Sequence, residues 1–161
     1  IGLCLLILAA CTARTIVRNE DWATQMNICI AGTRTAPFST KTWNNIAVEL
    51  ANHGEMEAAV EACRKSLEIY PESKRTLKNR AFYLIKLGRM DEARADLEKL
   101  VSLDSRDTEV YNKLGAILAN GDRLGDAKKM WLRSLELNPS QPMIKKSLGI
   151  LEDDIRKRQD K

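Results

Sequence analysis

The chain has 161 residues, of which 44% are hydrophobic and 30% are charged, with few aromatic residues and few prolines. This composition is typical of a folded helical domain and argues against a disordered chain. Its 26 basic residues are mixed with 22 acidic ones, for a net charge of +4. No run of five like charges occurs, so neither composition nor patterning indicates a nucleic-acid partner.

The first ten residues, IGLCLLILAA, are uncharged and almost wholly apolar. As a helix they would span about 15 Å, which is about half the thickness of a bilayer core. Residues 1–10 therefore predict the apolar region of a secretory signal peptide rather than a transmembrane helix. No initiator Met and no basic residue precede this stretch, so we expect the signal to be incomplete.

The end of the apolar stretch, Leu8-Ala9-Ala10-Cys11, resembles the lipobox of bacterial lipoproteins. The resemblance implies cleavage before Cys11 and a diacylglyceryl group on its thiol, with the membrane anchoring that acyl chains give. Thr12 rather than Asp follows, which in Gram-negative lipoproteins resembles the pattern that is passed on to the outer membrane. Ordinary signal cleavage and a buried apolar helix remain alternatives.

Residues 11–39 predict a tether followed by a short lead-in helix. Asn19 is a candidate N-cap, and Gly32 is a candidate stop. One predicted face of this helix carries Trp22, Met26, Cys29 and Ile30, and we expect it to dock on the helices that follow. Cys63 is expected to pack as a small apolar residue, and a Cys29–Cys63 disulfide is the alternative in an exported compartment.

Residues 40–141 repeat with a period of 34, and small residues recur at fixed places in an apolar pattern. The aligned sets include Trp43, Leu77 and Tyr111; Ala47, Ala81 and Gly115; Leu50, Leu84 and Leu118; Ala59, Ala93 and Ala127; and Cys63, Leu97 and Trp131. Such a period predicts stacked helix pairs. In the first unit the helices are predicted at 41–52 and 56–70. We expect N-caps at Ser73, Asp107 and Ser140.

This pattern resembles the tetratricopeptide repeat. The third unit fits the family best, with matches at Tyr111, Leu114, Gly115, Leu118, Ala127, Trp131, Ser134 and Pro139. The middle unit departs at Arg80, Leu100 and Ser105, where the family prefers a large apolar residue, a small residue and proline. The resemblance implies an all-α chain, an α-solenoid of three helix-turn-helix units at 40–73, 74–107 and 108–141.

Residues 142–161 are predicted to form a C-terminal capping helix, which a repeat array needs to cover its last apolar face. The residues expected to face inward are Met143, Ile144, Leu148, Leu151 and Ile155.

No pattern in the sequence points to an active site. The single histidine, His53, is predicted in a turn, and no GxSxG, P-loop, HExxH or CxxC motif is present. We therefore expect no catalytic residue, no metal, no cofactor and no small-molecule substrate.

In tetratricopeptide arrays the first helix of each pair lines a concave groove that binds peptides or helices. The resemblance places this lining at Lys41, Asn44, Asn45, Arg75, Lys78, Asn79, Phe82, Asn112 and Lys113. Amides and lysines favour a peptide with carboxylate or acidic character. The carboxylate clamp of chaperone-binding members is matched at Asn79 and Lys113, whereas Asn44, Val48 and Glu109 depart from it.

Together these features predict an exported, lipid-anchored, non-catalytic adaptor of the cell envelope, on the outer membrane and facing the periplasm if the source is Gram-negative. Its expected partners are envelope proteins, bound through a peptide or helix, and the membrane, bound through the anchor. Tetratricopeptide lipoproteins serve pilus or secretin assembly, outer-membrane assembly and recruitment of cell-wall enzymes. A soluble chaperone-like module and a structural or regulatory subunit of an envelope assembly remain the alternatives.

Overall fold

A computed structural model describes residues 39–159, and all regular structure in this range is helical. The helices are α1 (Thr40–Asn52), α2 (Met56–Ile69), α3 (Lys74–Lys86), α4 (Met90–Ser102), α5 (Thr108–Asn120), α6 (Leu124–Leu137) and α7 (Pro142–Gln159). The prediction of an all-α chain of repeated helix pairs is confirmed. The predicted signal peptide, the predicted lipidation site Cys11 and the predicted lead-in helix lie outside the described residues.

Two compact units divide the chain between Pro71 and Glu72, and the first contains the pair α1 and α2. Ala47 and Ala59 are fully buried in it. Ser66 Oγ donates a hydrogen bond of 3.0 Å to the carbonyl of Thr40, which holds the end of α2 to the start of α1. Cys63 is a buried thiol, as expected for a small packing residue.

The second unit, from Glu72 onward, is a short solenoid in which each of α3 to α6 packs on the next helix. Its core is formed by Leu77, Ala81, Leu84, Ala93, Leu97, Leu100, Val110, Tyr111, Leu114, Leu118, Ala127, Trp131 and Leu151. These residues recur at helical spacing, so each helix presents one apolar stripe to its neighbours.

The crossing of α5 and α6 depends on the absence of a side chain at Gly115. A Cβ atom at that position would lie 2.6 Å from Cδ1 and 3.0 Å from Cε2 of Trp131. At the aligned positions of the preceding repeat the chain has Ala81 and Leu97, both fully buried. A larger side chain on the second helix is thus matched by a smaller residue on the first, as close packing requires.

Helix ends follow the predicted signals, with two differences. Ser73 and Asp107 cap α3 and α5 as predicted. Ser140 is not a cap, because α7 begins at Pro142, whose fixed φ and missing N–H suit the first helical position. Helix α2 ends at Ile69 rather than at Tyr70, because a residue before proline is driven to extended backbone.

The middle repeat accommodates its departures by local compensation. Arg80 forms a two-bonded ion pair with the buried Asp96, at 2.7 and 2.5 Å, where the third repeat has Leu114 and Met130 at the aligned positions. Leu100 is buried in place of a hydroxyl. The Arg80–Asp96 pair therefore links α3 and α4 where the third repeat has two apolar residues.

Helix α7 packs less deeply than the capping helix that the sequence predicts. Leu151 is buried, and Ile144, Leu148 and Ile155 are partly buried. The prediction for Met143 is wrong, because its side chain is 74% exposed. Met143 lies one full repeat period after Glu109, and it therefore shares the register of the predicted groove face.

Candidate peptide-binding surface

The predicted groove residues of the first unit differ in their accessibility. Lys41 and Asn45 are exposed on α1. Asn44 is only 1% exposed, so its side chain is not available to a ligand in this structure. The prediction for Asn44 is wrong in this respect, since its amide is a buried polar group of the fold.

In the second unit, Lys78 on α3 is held by two carboxylates. Its Nζ atom lies 2.5 Å from Asp107 Oδ2 and 3.2 Å from Glu109 Oε2. Partial burial acts to lower the pKa of Lys78, but the hydrogen bonds and charges of Asp107 and Glu109 outweigh it and raise the pKa above its ordinary value. Lys78 thus links α3 to the start of α5 and is largely neutralised.

The structure brings Lys78, Phe82 and Lys113 together on a face formed by α3 and α5. The two ammonium groups lie 5.3 Å and 5.4 Å from the centroid of the Phe82 ring. These distances are within the range of cation–π attraction. In the part of the chain that is described, Lys113 has no carboxylate partner, so it offers its positive charge to this face.

Asn112 on α5 makes the same kind of link as Lys78, one repeat later. Its Nδ2 atom donates to Gln141 Oε1 at 2.8 Å, and both links have the same separation along the chain. Gln141 Nε2 in turn donates to the carbonyls of Ser134 and Asn138, at 2.9 and 2.8 Å. Asn112 Oδ1 is buried and has no hydrogen-bond partner among residues 39–159. Lys78 and Asn112 therefore each connect the first helix of a repeat to the residue that ends that repeat.

The remaining predicted residues, Arg75 and Asn79, lie on α3, where Arg75 is exposed and Asn79 is half-buried. Both take part in polar or electrostatic contacts within the protein. Arg75 is the more accessible of the two to a ligand.

The sequence analysis did not predict a concave surface of about 630 Å³ between α7 and the helices before it. Its lining includes Ala119, Trp131, Ser147 and Ile150, and the Ile150 side chain is 63% exposed. Because Ile150 lies one repeat period after Ala116, continuing the repeat into α7 would have found it.

Metal-binding clusters and membrane-spanning helices can be assessed in the described part of the chain. Among residues 39–159, no group of three or more His, Cys, Asp or Glu side chains could hold a metal ion. None of the helices in that range has the length and apolar character needed to cross a bilayer. His53 lies in an exposed turn, as the sequence predicts.

Residues 40–73 and 77–107 match the family profile described as tetratricopeptide repeat. Two of the predicted repeats are thus similar to tetratricopeptide repeats. It is 28% identical over 115 residues to Small glutamine-rich tetratricopeptide repeat-containing protein 2 of Mycosarcoma maydis, which covers 71% of this chain and 32% of that protein. This chain thus spans about a third of the length of that curated relative.

Solved structures of tetratricopeptide proteins superpose on most of the chain. MamA of Desulfovibrio magneticus RS-1, from residue 41 to its end, gives a TM-score of 0.74 at 19% identity, covering 94% of this chain and 84% of that one. The first TPR domain of Spaghetti (RPAP3), bound to an HSP90 peptide, gives 0.66 at 22% identity, covering 73% and 93%. At these identities the likeness shows the fold.

Proposed function

We propose that this protein is a non-catalytic adaptor that binds a peptide or helix of a partner protein through its second unit. The observation that carries the proposal is the cluster of Lys78, Phe82 and Lys113. In this cluster two ammonium groups flank an aromatic ring on the face formed by α3 and α5. The solved relative RPAP3 holds an HSP90 peptide, which supports a ligand of the same chemical class here.

The chemistry of the cluster favours a ligand with an acidic group beside an apolar one. Lys113 offers a charge that no described carboxylate neutralises, and the Phe82 ring offers apolar surface next to it. Lys78 is already bound to Asp107 and Glu109, so a ligand carboxylate gains less from it. Lys113 is therefore the residue on which recognition of the ligand depends most.

Cross-linking in the native membrane, followed by mass spectrometry, identifies the partner, and two charge reversals then test the surface. We expect Lys113→Glu to reduce capture of the identified partner by tenfold or more. Lys99→Glu is the matched control, because Lys99 is an exposed lysine on α4, away from the cluster. Undiminished capture by Lys113→Glu contradicts the proposal. Loss with Lys99→Glu instead assigns the contact to the second helices, as expected of a structural subunit.

The adaptor is anchored at the cell envelope through a lipid on Cys11, a proposal that rests on the sequence Leu8-Ala9-Ala10-Cys11. Its partners are then envelope proteins. Mass spectrometry of the membrane-extracted protein tests this, with a diacylglyceryl-modified Cys11 at the N-terminus as the expected result. An N-terminus at Thr12, or an unmodified Cys11, overturns the anchor and favours the soluble chaperone-like alternative.

A further inference from the structure

Two irregularities of the middle repeat meet at one cavity of about 630 Å³ in the second unit. Leu100 and Ser105, which replace the serine and proline of the other repeats, both line it. Asp104, in the left-handed backbone region at φ 53°, lines it between them. Departures from the repeat pattern thus coincide with a concave surface that lies beside the cluster of Lys78, Phe82 and Lys113.

The rim of this cavity is rich in positive charge. Four basic side chains line it, Lys74, Arg75, Lys78 and Arg106, against the two acidic residues Asp104 and Asp107. Asp107 is committed to Lys78 and to the first turn of α5. In the part of the chain that the structure describes, Lys74 and Arg106 form no ion pair. The cavity therefore has a positive potential that attracts anions.

The aligned region of the third repeat lacks the positive charge. Gln141, the counterpart of Asp107, bonds to the carbonyls of Ser134 and Asn138 and accepts from Asn112. The counterparts of Lys74, Arg75 and Arg106 are Thr108, Glu109 and Ser140, none of which is basic. In the second unit, this group of basic residues is thus present in the middle repeat and absent from the third.

We propose that this cavity binds an acidic segment of the partner protein, with Asp or Glu carboxylates on Lys74, Arg75 and Arg106. Its volume is within the range of pockets that hold drug-sized ligands, which suits several peptide side chains better than one small anion. Arginine binds carboxylates through paired hydrogen bonds, and lysine binds them as a point charge. The inference rests on the proposed function in one respect, that the partner presents a peptide.

Fluorescence anisotropy with the purified full-length protein tests the proposal. The probes are two labelled dodecapeptides, one alternating Glu and Ala and the other alternating Gln and Ala. We expect the Glu probe to bind at least tenfold more tightly than the Gln probe at about 50 mM salt, a concentration low enough to limit screening. The double variant Lys74→Glu/Arg106→Glu is expected to lose this preference. Equal binding of both probes overturns the proposal.

Two controls distinguish binding in this cavity from binding at the cluster of Lys78, Phe82 and Lys113 and from general charge effects. Lys113→Glu tests the proposed function, so retained Glu-probe binding by Lys113→Glu together with its loss in the double variant supports the cavity. The opposite result overturns the cavity and leaves the proposed function standing. An equal loss with Lys99→Glu also overturns it, as does complete displacement of the Glu probe by an equal concentration of inorganic phosphate. Unchanged circular dichroism confirms that the substitutions leave the fold intact.

Discussion

Adding one methyl group to α5, at Gly115, tests the packing where α5 crosses α6. Gly115→Ala places a Cβ atom 2.6 Å from Trp131 Cδ1, which is closer than packed side chains tolerate. The chain provides a matched control one repeat period later. Gly149 is also a helical glycine at the aligned position, and a Cβ atom there meets no atom within 4 Å. The two variants therefore make the same chemical change in the same register, with and without a facing side chain.

The magnitude follows from two opposing effects. Alanine in a helix is more favourable than glycine by about 1 kcal/mol, and this gain applies to both variants. Overpacking at Gly115 costs about 1–3 kcal/mol, because the indole of Trp131 is large, rigid and 7% exposed. We thus expect Gly115→Ala to be about 1–3 kcal/mol less stable than Gly149→Ala, which corresponds to about 2–12 °C in Tm for a domain of this size.

Thermal and urea denaturation, followed by circular dichroism, measure the difference. A double-mutant cycle with Trp131→Leu tests whether the cost of Gly115→Ala comes from contact with Trp131. Trp131→Leu reproduces the residue found opposite Ala81 in the middle repeat. We expect Gly115→Ala to cost about 0.5–3 kcal/mol less in that background. The bond from Trp131 Nε1 to the Asn112 carbonyl, at 3.3 Å, is absent from both Leu variants. The Cβ atom lies nearest to this Nε1, so any weakening of the bond by Gly115→Ala is part of the measured coupling. Equal effects at Gly115 and Gly149, or no coupling to Trp131, would refute the packing argument.

Two further predictions concern stability. Arg80→Leu should lower the free energy of unfolding by about 3–5 kcal/mol, because it leaves the buried Asp96 carboxylate without its partner. Adding Asp96→Ala should restore most of this loss, as measured by urea denaturation. A double variant that is no more stable than Arg80→Leu contradicts the prediction. Asp104→Gly should raise the free energy of unfolding by about 0.5–1 kcal/mol, because its φ of 53° suits glycine better than aspartate. Gly88→Ala, at φ 75°, should have the opposite sign in the same thermal assay, and a lower Tm for Asp104→Gly would contradict the argument.

The fold follows from local signals that the sequence carries in every repeat. The repeat period, the small residues and the helix-breaking prolines determine the structure of each helix pair. They can therefore be recognised in the sequence without knowledge of the tertiary structure. Where the prediction failed, a neighbouring residue decided the outcome. Ser140 is a good capping residue, but Pro142 sets the start of α7.

The surface was less predictable, because side-chain partners come from other helices and from loops. Register correctly places Lys78 and Lys113 on a common face, and both reach the Phe82 ring. Register does not reveal that Asp107 neutralises Lys78, since that contact joins residues far apart in the chain and depends on the geometry of a loop. Asn44 shows the same limit, because its amide has the right position on the helix but is buried.

Helix α7 shows what the repeat register means physically. Leu148, Gly149 and Ile150 continue the positions of Leu114, Gly115 and Ala116, so α7 has the pattern of a first helix. In α5 the small residue faces Trp131, whereas the Cβ position of Gly149 meets no neighbouring atom. The groove register continues as well, which leaves Ile150 exposed beside Trp131. The same pattern that builds a helix crossing in the third repeat therefore leaves an accessible apolar surface on α7.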